Sequence, residues 1–530
     1  MPLKLLRSRF VKVAAATIGV PVAGAGGLAL YVQYRKRTRP HVRILKPLVD
    51  ESGRIVLEGQ VISSPSCTAV CRRFVQLVFI FLPVAALYLI MSLRQKWYEQ
   101  WLEILLAAVQ RAGPVFVKIG QWSCTREDLF AADFRRVFKR LYNEVDIHAY
   151  ADTLKIIGEE LQADPFTVFE SIEPTTVGSG SIGQVHLAKL RNSSRQVVVK
   201  VMHPQIVERI VLDFNILNGL AKRVDRTFKS LDRYRLPSLS LAFSNHLAAQ
   251  LDFRVEAQNL EQFRENFRSE HYVDFPEPIM STQRMLVETF CEGKPANPEF
   301  LASLPPHARD VLANKGLNTW CKMLLRDNFI HGDMHPGNIL IDCSDPHEPK
   351  VTLIDVGLCQ QLTDHEGEVT HELMEAFVRW NPIQCANSLL AMSDHQQYAD
   401  PTAFRNDLTQ IYKHFRPTRN DEHAVTNILQ SVFECIRVNN VQMDPPYVSL
   451  LFAVLVLESF IMNLNPEFNM VRHTAPWLVS EGHLSKGVMK NLVKTKIDNI
   501  KRDYGILTGR MEDGMREELQ LNENLRVSSW

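Results

Sequence analysis

The run His-Gly-Asp-Met-His-Pro-Gly-Asn-Ile-Leu-Ile at residues 331–341 constrains this chain more than any other feature. It places Asp333 five residues before Asn338, ahead of a short apolar segment, and Asp355 follows Asn338 by seventeen residues. Transfer of a phosphoryl group from a nucleotide needs one carboxylate at the acceptor oxygen, and an Asn and a second carboxylate to hold Mg²⁺. The alternative for the first motif alone is a polar turn followed by a hairpin. The spacing predicts Asp333 as the catalytic Asp and Asn338 and Asp355 as magnesium ligands.

A second motif, Gly-Ser-Gly-Ser-Ile-Gly at residues 178–183, matches a pattern that two nucleotide-binding folds share. In a dinucleotide-binding fold a helix follows such glycines. Here residues 184–190 alternate apolar and polar, and a polar turn leads to a second apolar run that contains Lys200, which predicts two paired strands. We therefore expect a loop that covers the phosphates of ATP, with Lys200 reaching the α- and β-phosphates. The candidate nucleotide-binding residues of this loop are Gly178, Gly180, Ser181 and Gly183.

A lysine in this position needs a carboxylate to hold it, and the segment around Glu256 offers one. Its pattern is helical, and Asp252, Glu256 and Asn259 share one face because they are four and three residues apart. Glu256 is the candidate partner of Lys200, and the alternative for this face is a solvated acidic stripe. The intervening residues 205–249 predict additional amphipathic helices.

The last strand of this half is predicted at residues 286–290, in Leu-Val-Glu-Thr-Phe. A hinge follows whose backbone is placed to bind adenine, and Glu288 is a further candidate nucleotide-binding residue. After Asp355 the chain enters helical sequence almost at once, with no Ala-Pro-Glu and no room for a long activation loop. A platform for a peptide substrate is therefore not expected.

The amino-terminal region is basic and precedes a strongly apolar run. Residues 1–49 contain ten Lys or Arg and no acidic residue, which predicts a mitochondrial targeting region over residues 1–40, with a secretory signal as the alternative because 13–32 is apolar. Residues 74–93 are twenty uncharged residues flanked by basic ones, and they predict a transmembrane helix, the alternative being a buried core helix. Residues 13–32 are a candidate second span or part of a cleaved presequence.

The chain as a whole is balanced in charge, with 60 Lys and Arg against 59 Asp and Glu, so no net field points to nucleic acid as a partner. Nine cysteines are scattered without a Cys-x-x-Cys pair, which is typical of a reducing compartment. The length of 530 residues allows two to four domains.

One further motif lies upstream, Lys-Ile-Gly-Gln, in which Lys118 and Gln121 are one helical turn apart. In order with the motifs above, it resembles the Lys-x-Gly-Gln signature of the UbiB family of aarF-domain-containing atypical kinases, over about residues 98–480. The resemblance implies that Lys118 and Gln121 belong to a helical extension that lies over the nucleotide site and blocks the groove in which a protein kinase seats a peptide.

The resemblance also implies a role for each candidate identified above. Lys200 and Glu256 become the catalytic ion pair, and Asp333 becomes the Asp of the catalytic loop. Asn338 and Asp355 become the ligands of Mg²⁺, with ATP as the bound nucleotide.

Three departures from the family pattern are evident. Residues 178–180 are Gly-Ser-Gly where the family has an Ala-rich loop, so nucleotide handling is expected to be closer to that of a conventional kinase. Gln-Leu-Asp at 250–252 replaces Glu-x-Asp, which removes a partner for Lys118, and Asp-Val-Gly at 355–357 replaces Asp-Phe-Gly. Together with the Gly-Gln-Trp stretch ending at Phe130, these features are most similar to the mitochondrial aarF-domain-containing kinase 2 branch.

The fold class predicted from these motifs is α+β: a two-lobed protein-kinase-like fold with a helical N-terminal extension and a transmembrane helix. The expected parts are a targeting region at 1–40, a transmembrane helix at 74–93, a helical Lys-x-Gly-Gln extension at 98–165, an N-lobe with a helical insertion at 166–290, a C-lobe at 291–480 and a helical tail at 481–530.

The function predicted is that of a membrane-anchored mitochondrial atypical kinase or ATPase that binds Mg-ATP and acts on a membrane lipid or a small lipid-like acceptor. The resemblance implies a role in ubiquinone (coenzyme Q) biosynthesis beside proteins of that pathway, in the inner membrane, with one span or two. One alternative is a pseudokinase scaffold for a membrane-associated biosynthetic complex. Another is a conventional protein kinase, which requires an open peptide groove.

Overall fold

The computed structural model of the chain describes residues 56–57, 60–61, 65–125, 132–142, 147–193, 195–228, 235–415, 424–468 and 470–481. The predicted targeting region at 1–40, the apolar segment 13–32 and nearly all of the predicted tail at 481–530 lie outside the described residues.

The described chain is a mixture of helices and short antiparallel strands. The α-helices are α1 (Cys67–Met91), α2 (Gln95–Ala112), α3 (Pro114–Thr125), α4 (Ala132–Phe138), α5 (Tyr150–Leu161), α6 (Ile206–Thr227), α7 (Leu236–Ala248), α8 (Phe253–Asn266), α9 (Pro298–Ser303), α10 (Pro306–Cys321), α11 (Asp364–Val378), α12 (Pro382–Leu390), α13 (Pro401–His414), α14 (Ala424–Val438), α15 (Pro445–Leu464) and α16 (Met470–Ser480). The strands are β1 (Val56–Leu57), β2 (Gln60–Val61), β3 (Phe169–Ser179), β4 (Gly183–Leu190), β5 (Gln196–Met202), β6 (Pro278–Ser281), β7 (Met285–Thr289), β8 (Lys294–Pro295), β9 (Phe329–His331), β10 (Ile339–Asp342), β11 (Lys350–Leu353) and β12 (Cys359–Gln361).

The N-lobe is built on a five-stranded antiparallel sheet in the order β3-β4-β5-β7-β6. The register pairs Lys200 with Val185 of β4 and with Leu286 of β7. Because side chains alternate between the faces of a strand, Val199 and Val287 project to the opposite face, where they pack in a core with α5. The strands predicted before and after the glycine loop are confirmed, and so is the two-lobed α+β class.

The segment between Lys200 and Glu256 forms two helices, α6 and α7, as the amphipathic pattern predicted. They pack against each other through Phe214 and Phe243, whose ring centroids lie 6.1 Å apart. Both side chains belong to the large core that also contains the interior of the C-lobe. The insertion is therefore an integral layer of the kinase-like body.

The apolar helix α1 is packed along one side only. Arg73 at its start makes two hydrogen bonds of 2.7 and 2.9 Å to Asp213 of α6, which is 1% exposed, and also donates to the carbonyl of Ala112. Trp101 of α2 donates to the carbonyl of Val84 at 2.8 Å, so α2 runs back antiparallel along α1. The opposite side of α1 presents exposed apolar residues: Phe74, Val75, Val78, Phe79, Leu82, Leu89 and Ile90.

Two described helices, α1 and α15, are long and apolar enough by length and composition to cross a membrane. They differ in their surroundings, because 11% of the apolar window of α1 is buried and 62% of that of α15. Leu457 and Ile461 of α15 lie in the core of the C-lobe. The prediction of a span at 74–93 applies to α1, which covers most of it.

The C-lobe places the catalytic motifs on short strands. β10 pairs antiparallel with β11, so that Ile339 faces Leu353, and β9 pairs with β12. After Gly357 the chain forms β12 at once and enters α11 at Asp364, where Thr363 and Glu366 form a capping box. The predicted absence of a long segment between the Asp-Val-Gly motif and the next helix is confirmed.

Candidate functional site

The centre of the candidate site is an ammonium group held by two carboxylates from different elements. Lys200 Nζ on β5 lies 2.9 Å from both Oε1 and Oε2 of Glu256 on α8, and 2.9 Å from Oδ1 of Asp355. The ammonium has three protons, and these three contacts use all of them. The predicted partnership of Lys200 and Glu256 is thus present, across 56 residues of sequence.

The charges of this cluster shift one another's ionisation. Burial acts to lower the pKa of Lys200, but the carboxylates of Asp355 and Glu256 outweigh it, so the pKa is raised and the group stays charged. Burial acts to raise the pKa of Asp355, yet the positive charges of Lys200 and Lys118 hold that pKa below its usual range. Burial raises the pKa of Glu256, and Lys200 opposes that shift.

Helix α8 positions Glu256 through a cap at its start and an amide further along. Asp252 caps the helix by accepting from the backbone N–H of Arg254 at 3.0 Å, and its carboxylate also pairs with the Arg254 guanidinium. Asn259 donates from Nδ2 to the carbonyl of Val356 at 2.9 Å. The face predicted to carry Asp252, Glu256 and Asn259 is therefore buried against the Asp-Val-Gly segment, and the alternative of a solvated stripe is wrong for this face.

The catalytic loop is held by its own polar side chains. Asn338 donates from Nδ2 to the carbonyl of Asp333 at 2.9 Å, which closes the loop between the two residues. His331 accepts from the backbone N–H of Asp333 at 3.1 Å through Nδ1, and its Nε2 lies 3.3 Å from the carbonyl of Ile354. Burial lowers the pKa of His331, so the ring is neutral and serves to hold the loop.

The oxygen atoms of Asn338 and Asp355 fit a magnesium ion. Ile354 donates its backbone N–H to the Asn338 carbonyl at 2.9 Å, which brings the two motifs together. Asp355 has a φ of 55°, a left-handed conformation that Asp tolerates better than most residues, and its side chain is 48% exposed, with Oδ1 bound to Lys200. A carboxylate and an amide oxygen are hard ligands of the type that Mg²⁺ takes beside phosphates and water.

The glycine loop is a tight turn closed by a hydrogen bond of 2.8 Å from the Gly180 N–H to the Gly183 carbonyl. Ser181 lies inside this turn, and its buried Oγ has no hydrogen-bond partner among the described residues. Gly178 and Gly180 leave open space at the turn, since a Cβ on Gly178 would meet nothing within 4 Å. These features leave room for phosphate oxygens beside the turn.

Gly183 has a packing role that the sequence pattern did not predict. A Cβ built there would lie 2.4 Å from the carbonyl oxygen of Val201, so the glycine permits the close approach of β4 and β5. The sequence pattern alone does not distinguish a glycine that contacts phosphate from one that permits the close approach of two strands.

Replacing Gly183 with alanine is expected to destabilise the N-lobe by about 1–3 kcal/mol, because a backbone clash cannot be relieved by rotating a side chain. The free energy of unfolding from chemical denaturation measures the effect. Gly178→Ala is the matched control, and we expect it to change stability little. Equal losses in the two variants would contradict the assignment.

A chain of histidines connects α5 to the glycine loop, and sequence reasoning missed it. His203 Nε2 donates to the Gly180 carbonyl at 2.8 Å, which leaves its Nδ1 as an acceptor. His148 Nδ1 lies 2.7 Å from that atom and donates to it, and His148 Nε2 lies 3.0 Å from the hydroxyl of Thr153. The network is satisfied when both rings are neutral and is broken when either gains a proton.

This network predicts a loss of stability in acid. Burial, and then the proximity of His203, lower the pKa of His148 to about 4, whereas an ordinary histidine titrates near 6.5. The unfolded chain therefore binds the proton first, and stability falls as the pH drops from about 6.5 towards 4. Between pH 7.5 and 5.5 we expect the thermal midpoint to fall by a few degrees less in His148→Gln than in the wild type. The exposed His271, changed to Gln, should leave the wild-type dependence intact.

The residues of the Lys-x-Gly-Gln motif face two parts of the structure. Lys118 lies near the cleft, and Gly120 and Gln121 pack within the extension. Lys118 on α3 is close enough to Asp355 for its charge to lower the pKa of that carboxyl. A Cβ on Gly120 would lie 2.4 Å from Cδ1 of Leu141, so the glycine lets α3 approach the segment after α4. Gln121 is buried and donates to the carbonyl of Leu141 at 2.9 Å. Gln121, which the resemblance places with Lys118 over the nucleotide site, thus makes this hydrogen bond within the extension.

Glu288 on β7 lies near the same charges. It is 8% exposed, and burial, followed by the charge of Glu256, raises the pKa of its carboxyl. The strand predicted before the hinge corresponds to β7, which ends one residue after Glu288, at Thr289.

The arrangement of these groups on two lobes defines the class: an atypical kinase-like protein whose Lys–Glu pair, catalytic loop and Asp-Val-Gly motif meet in one cleft. Comparison with known families supports this class, because residues 140–389 match the ABC1 atypical kinase-like domain.

Two of the relatives found by sequence comparison carry the ABC1 family name, and a third is named for UbiB. A mitochondrial ABC1 family protein of Schizosaccharomyces pombe is 26% identical over 492 residues, covering 78% of this chain and 70% of the relative. One from Saccharomyces cerevisiae is 24% identical over 518 residues, covering 82% and 77%. A probable protein kinase UbiB of Shewanella piezotolerans is 26% identical over 378 residues, covering 71% and 69%. Over these stretches the chain is similar to proteins of the UbiB/aarF family.

Proposed function

We propose that this protein is a membrane-anchored mitochondrial atypical kinase or ATPase that binds Mg-ATP in the cleft and acts on a membrane lipid or a small lipid-like acceptor. The observation that carries the proposal is the contact of Lys200 Nζ, at 2.9 Å, with both oxygens of Glu256 and with Asp355. This contact joins the nucleotide-facing strand, α8 and the metal-binding motif in one charged cluster.

Each residue of the cleft has a defined task in this proposal. The Ser181 hydroxyl and the turn amides bind phosphate oxygens, and Lys200 neutralises the α- and β-phosphates while Glu256 holds it in place. Asp333 accepts the proton of the attacking hydroxyl, from an acceptor or from water, as the γ-phosphoryl group passes to that oxygen and ADP leaves. Asn338 and Asp355 would hold Mg²⁺, which supplies charge that offsets the β- and γ-phosphate oxygens.

Membrane anchoring is supported by α1, whose exposed side is apolar over several turns from Phe74 onward, directly after Arg72 and Arg73. The mitochondrial setting is supported by the yeast relatives and by the acid-free, basic N-terminal region. We extend the proposal to ubiquinone (coenzyme Q) biosynthesis in the inner membrane, and to the aarF-domain-containing kinase 2 branch, on the family resemblance.

The alternative is a pseudokinase scaffold that organises a membrane-associated biosynthetic complex without phosphoryl transfer. The replacement of the family's Glu-x-Asp by Gln250-Leu251-Asp252 removes a carboxylate partner of Lys118, which favours this alternative. A conventional protein kinase is less well supported, because the short stretch between Gly357 and α11 leaves little backbone to seat a peptide.

The deciding experiment measures phosphate release from Mg-ATP by the full-length protein in lipid vesicles, beside Asp333→Asn. We expect turnover in the wild type to exceed that of the variant by about a hundredfold or more, a typical loss when a general base is removed. Both proteins should bind nucleotide with similar affinity. Equal, background-level turnover in the two, with the wild type folded, would favour the scaffold.

A further inference from the structure

Glu288 is a buried carboxyl group that faces the nucleotide cleft. In the antiparallel register Lys200 pairs with Leu286, and Val198 pairs with Glu288. Directly paired residues of antiparallel strands project to the same face, so Glu288 and Lys200 share the cleft face of the sheet. Glu288 lies two residues beyond Leu286, towards the end of β7 from which the hinge was predicted to start.

The Glu288 carboxyl lacks a partner of its own. Its residue is 8% exposed, and among the described residues it makes neither a hydrogen bond nor a close ion pair. Lys200, whose charge acts on the pKa of Glu288, already donates all three protons to Glu256 and Asp355. A ligand that brings a donor to this carboxyl forms a hydrogen bond that the unliganded protein lacks, which favours binding.

The chemistry of the cleft decides which part of a nucleotide this donor comes from. The phosphate end of the cleft is marked by Lys200 and the turn at Ser181, and the carboxyl of Glu288 keeps an acceptor oxygen for a ring N–H in either protonation state. Val185 and Val198 project from β4 and β5 on the same face and offer an apolar surface to a flat ring. The ring edge directed at Glu288 must carry an N–H group.

We propose that the Glu288 side chain binds the exocyclic amino group of a purine and thereby selects 6-aminopurine nucleotides. The proposal rests on the proposed function and adds to it the part of the nucleotide that is read. Recognition by this side chain is separate from any backbone contact made by the hinge.

The test compares Mg-ATP with the Mg complex of purine riboside 5′-triphosphate, which lacks the 6-amino group, by titration calorimetry on the full-length protein. The wild type is expected to bind ATP about 10- to 100-fold more tightly, because the analogue leaves the carboxyl unpaired. Glu288→Met, close in size and without an acceptor, should bind the two nucleotides with similar affinity. Glu288→Gln keeps a carbonyl acceptor and should retain most of the preference.

The outcomes separate this inference from the function beneath it. A wild type that binds both nucleotides equally, or a preference that persists unchanged in Glu288→Met, overturns the role of Glu288 and leaves nucleotide binding intact. Absence of binding of either nucleotide to folded wild type overturns both. The wild-type comparison decides the matter even if Glu288→Met fails to fold, which unfolding without nucleotide would reveal.

Discussion

Lys200→Met is expected to lower phosphoryl turnover by at least about a hundredfold, the loss seen when one preorganised charge is removed from a reacting group. The variant removes the ammonium that bridges Glu256 and Asp355 and leaves two carboxylates close together. One of them must then take up a proton or move away, so Asp355, the proposed metal ligand, also loses its fixed position. Steady-state phosphate release and nucleotide affinity measure the two effects.

Lys189→Met is the matched control for this prediction. Lys189 lies on β4 of the same sheet, but its contact is a surface pair with Glu170 at 3.2 Å, with side chains 43% and 47% exposed. Such a pair contributes about 0–1 kcal/mol, and turnover should stay near the wild-type value. Comparable turnover in Lys200→Met and Lys189→Met would remove the basis for placing the phosphates at Lys200.

Lys322→Met is expected to destabilise the C-lobe by about 3–5 kcal/mol, because it leaves the Asp327 carboxylate buried without its partner. Lys322 Nζ lies 3.0 and 2.8 Å from the two oxygens of Asp327, and the side chains are 3% and 0% exposed. The pair spans the π-helical turn that leads into β9 and then into the catalytic loop. Chemical denaturation measures the loss, and turnover should fall with it.

The double variant Lys322→Met, Asp327→Leu tests the cause of that loss. Removing both charges leaves no uncompensated ion, so most of the lost stability should return. Arg437→Met is the surface control, because its pair with Glu434 is 49% and 57% exposed and should contribute under about 1 kcal/mol. A double variant as unstable as the single one would show that packing, rather than charge, accounts for the effect.

The charged centre of the site could be predicted because its chemistry requires particular residue types in a particular order and spacing along the sequence. Asp333, Asn338 and Asp355 follow in the order and spacing that metal-assisted phosphoryl transfer needs, and a lysine after a glycine loop calls for a carboxylate. That requirement identified Glu256 across 56 residues, and the two side chains are in contact. A contact that the reaction chemistry requires, such as that of Lys200 with Glu256, can therefore be predicted from the sequence.

Roles that depend on packing between distant segments were not readable. Gly183 is required by the carbonyl of Val201, and the motif residue Gln121 binds the carbonyl of Leu141. The contact of His148 with His203 joins two segments that are distant in sequence, and no local sequence pattern predicts it.

The packing of the apolar helix α1 could not be predicted from the sequence either. Its composition predicts a span, but the clamp between Arg73 and Asp213 and the return of α2 along it depend on the folded neighbours. Hydropathy reports how apolar a segment is and carries no information about the partner that covers one of its sides.

The most direct test of the nucleotide site is the thermal unfolding of the full-length protein with ATP, with and without Mg²⁺, beside Asp355→Asn. At 100 times its Kd a ligand adds about 2.7 kcal/mol to the stability of the folded state, a shift that is readily measured. We predict stabilisation of the wild type that requires Mg²⁺ and that is lost in Asp355→Asn. A folded wild type that Mg-ATP does not stabilise, or an undiminished shift in Asp355→Asn, would contradict a metal-assisted nucleotide site at this cleft.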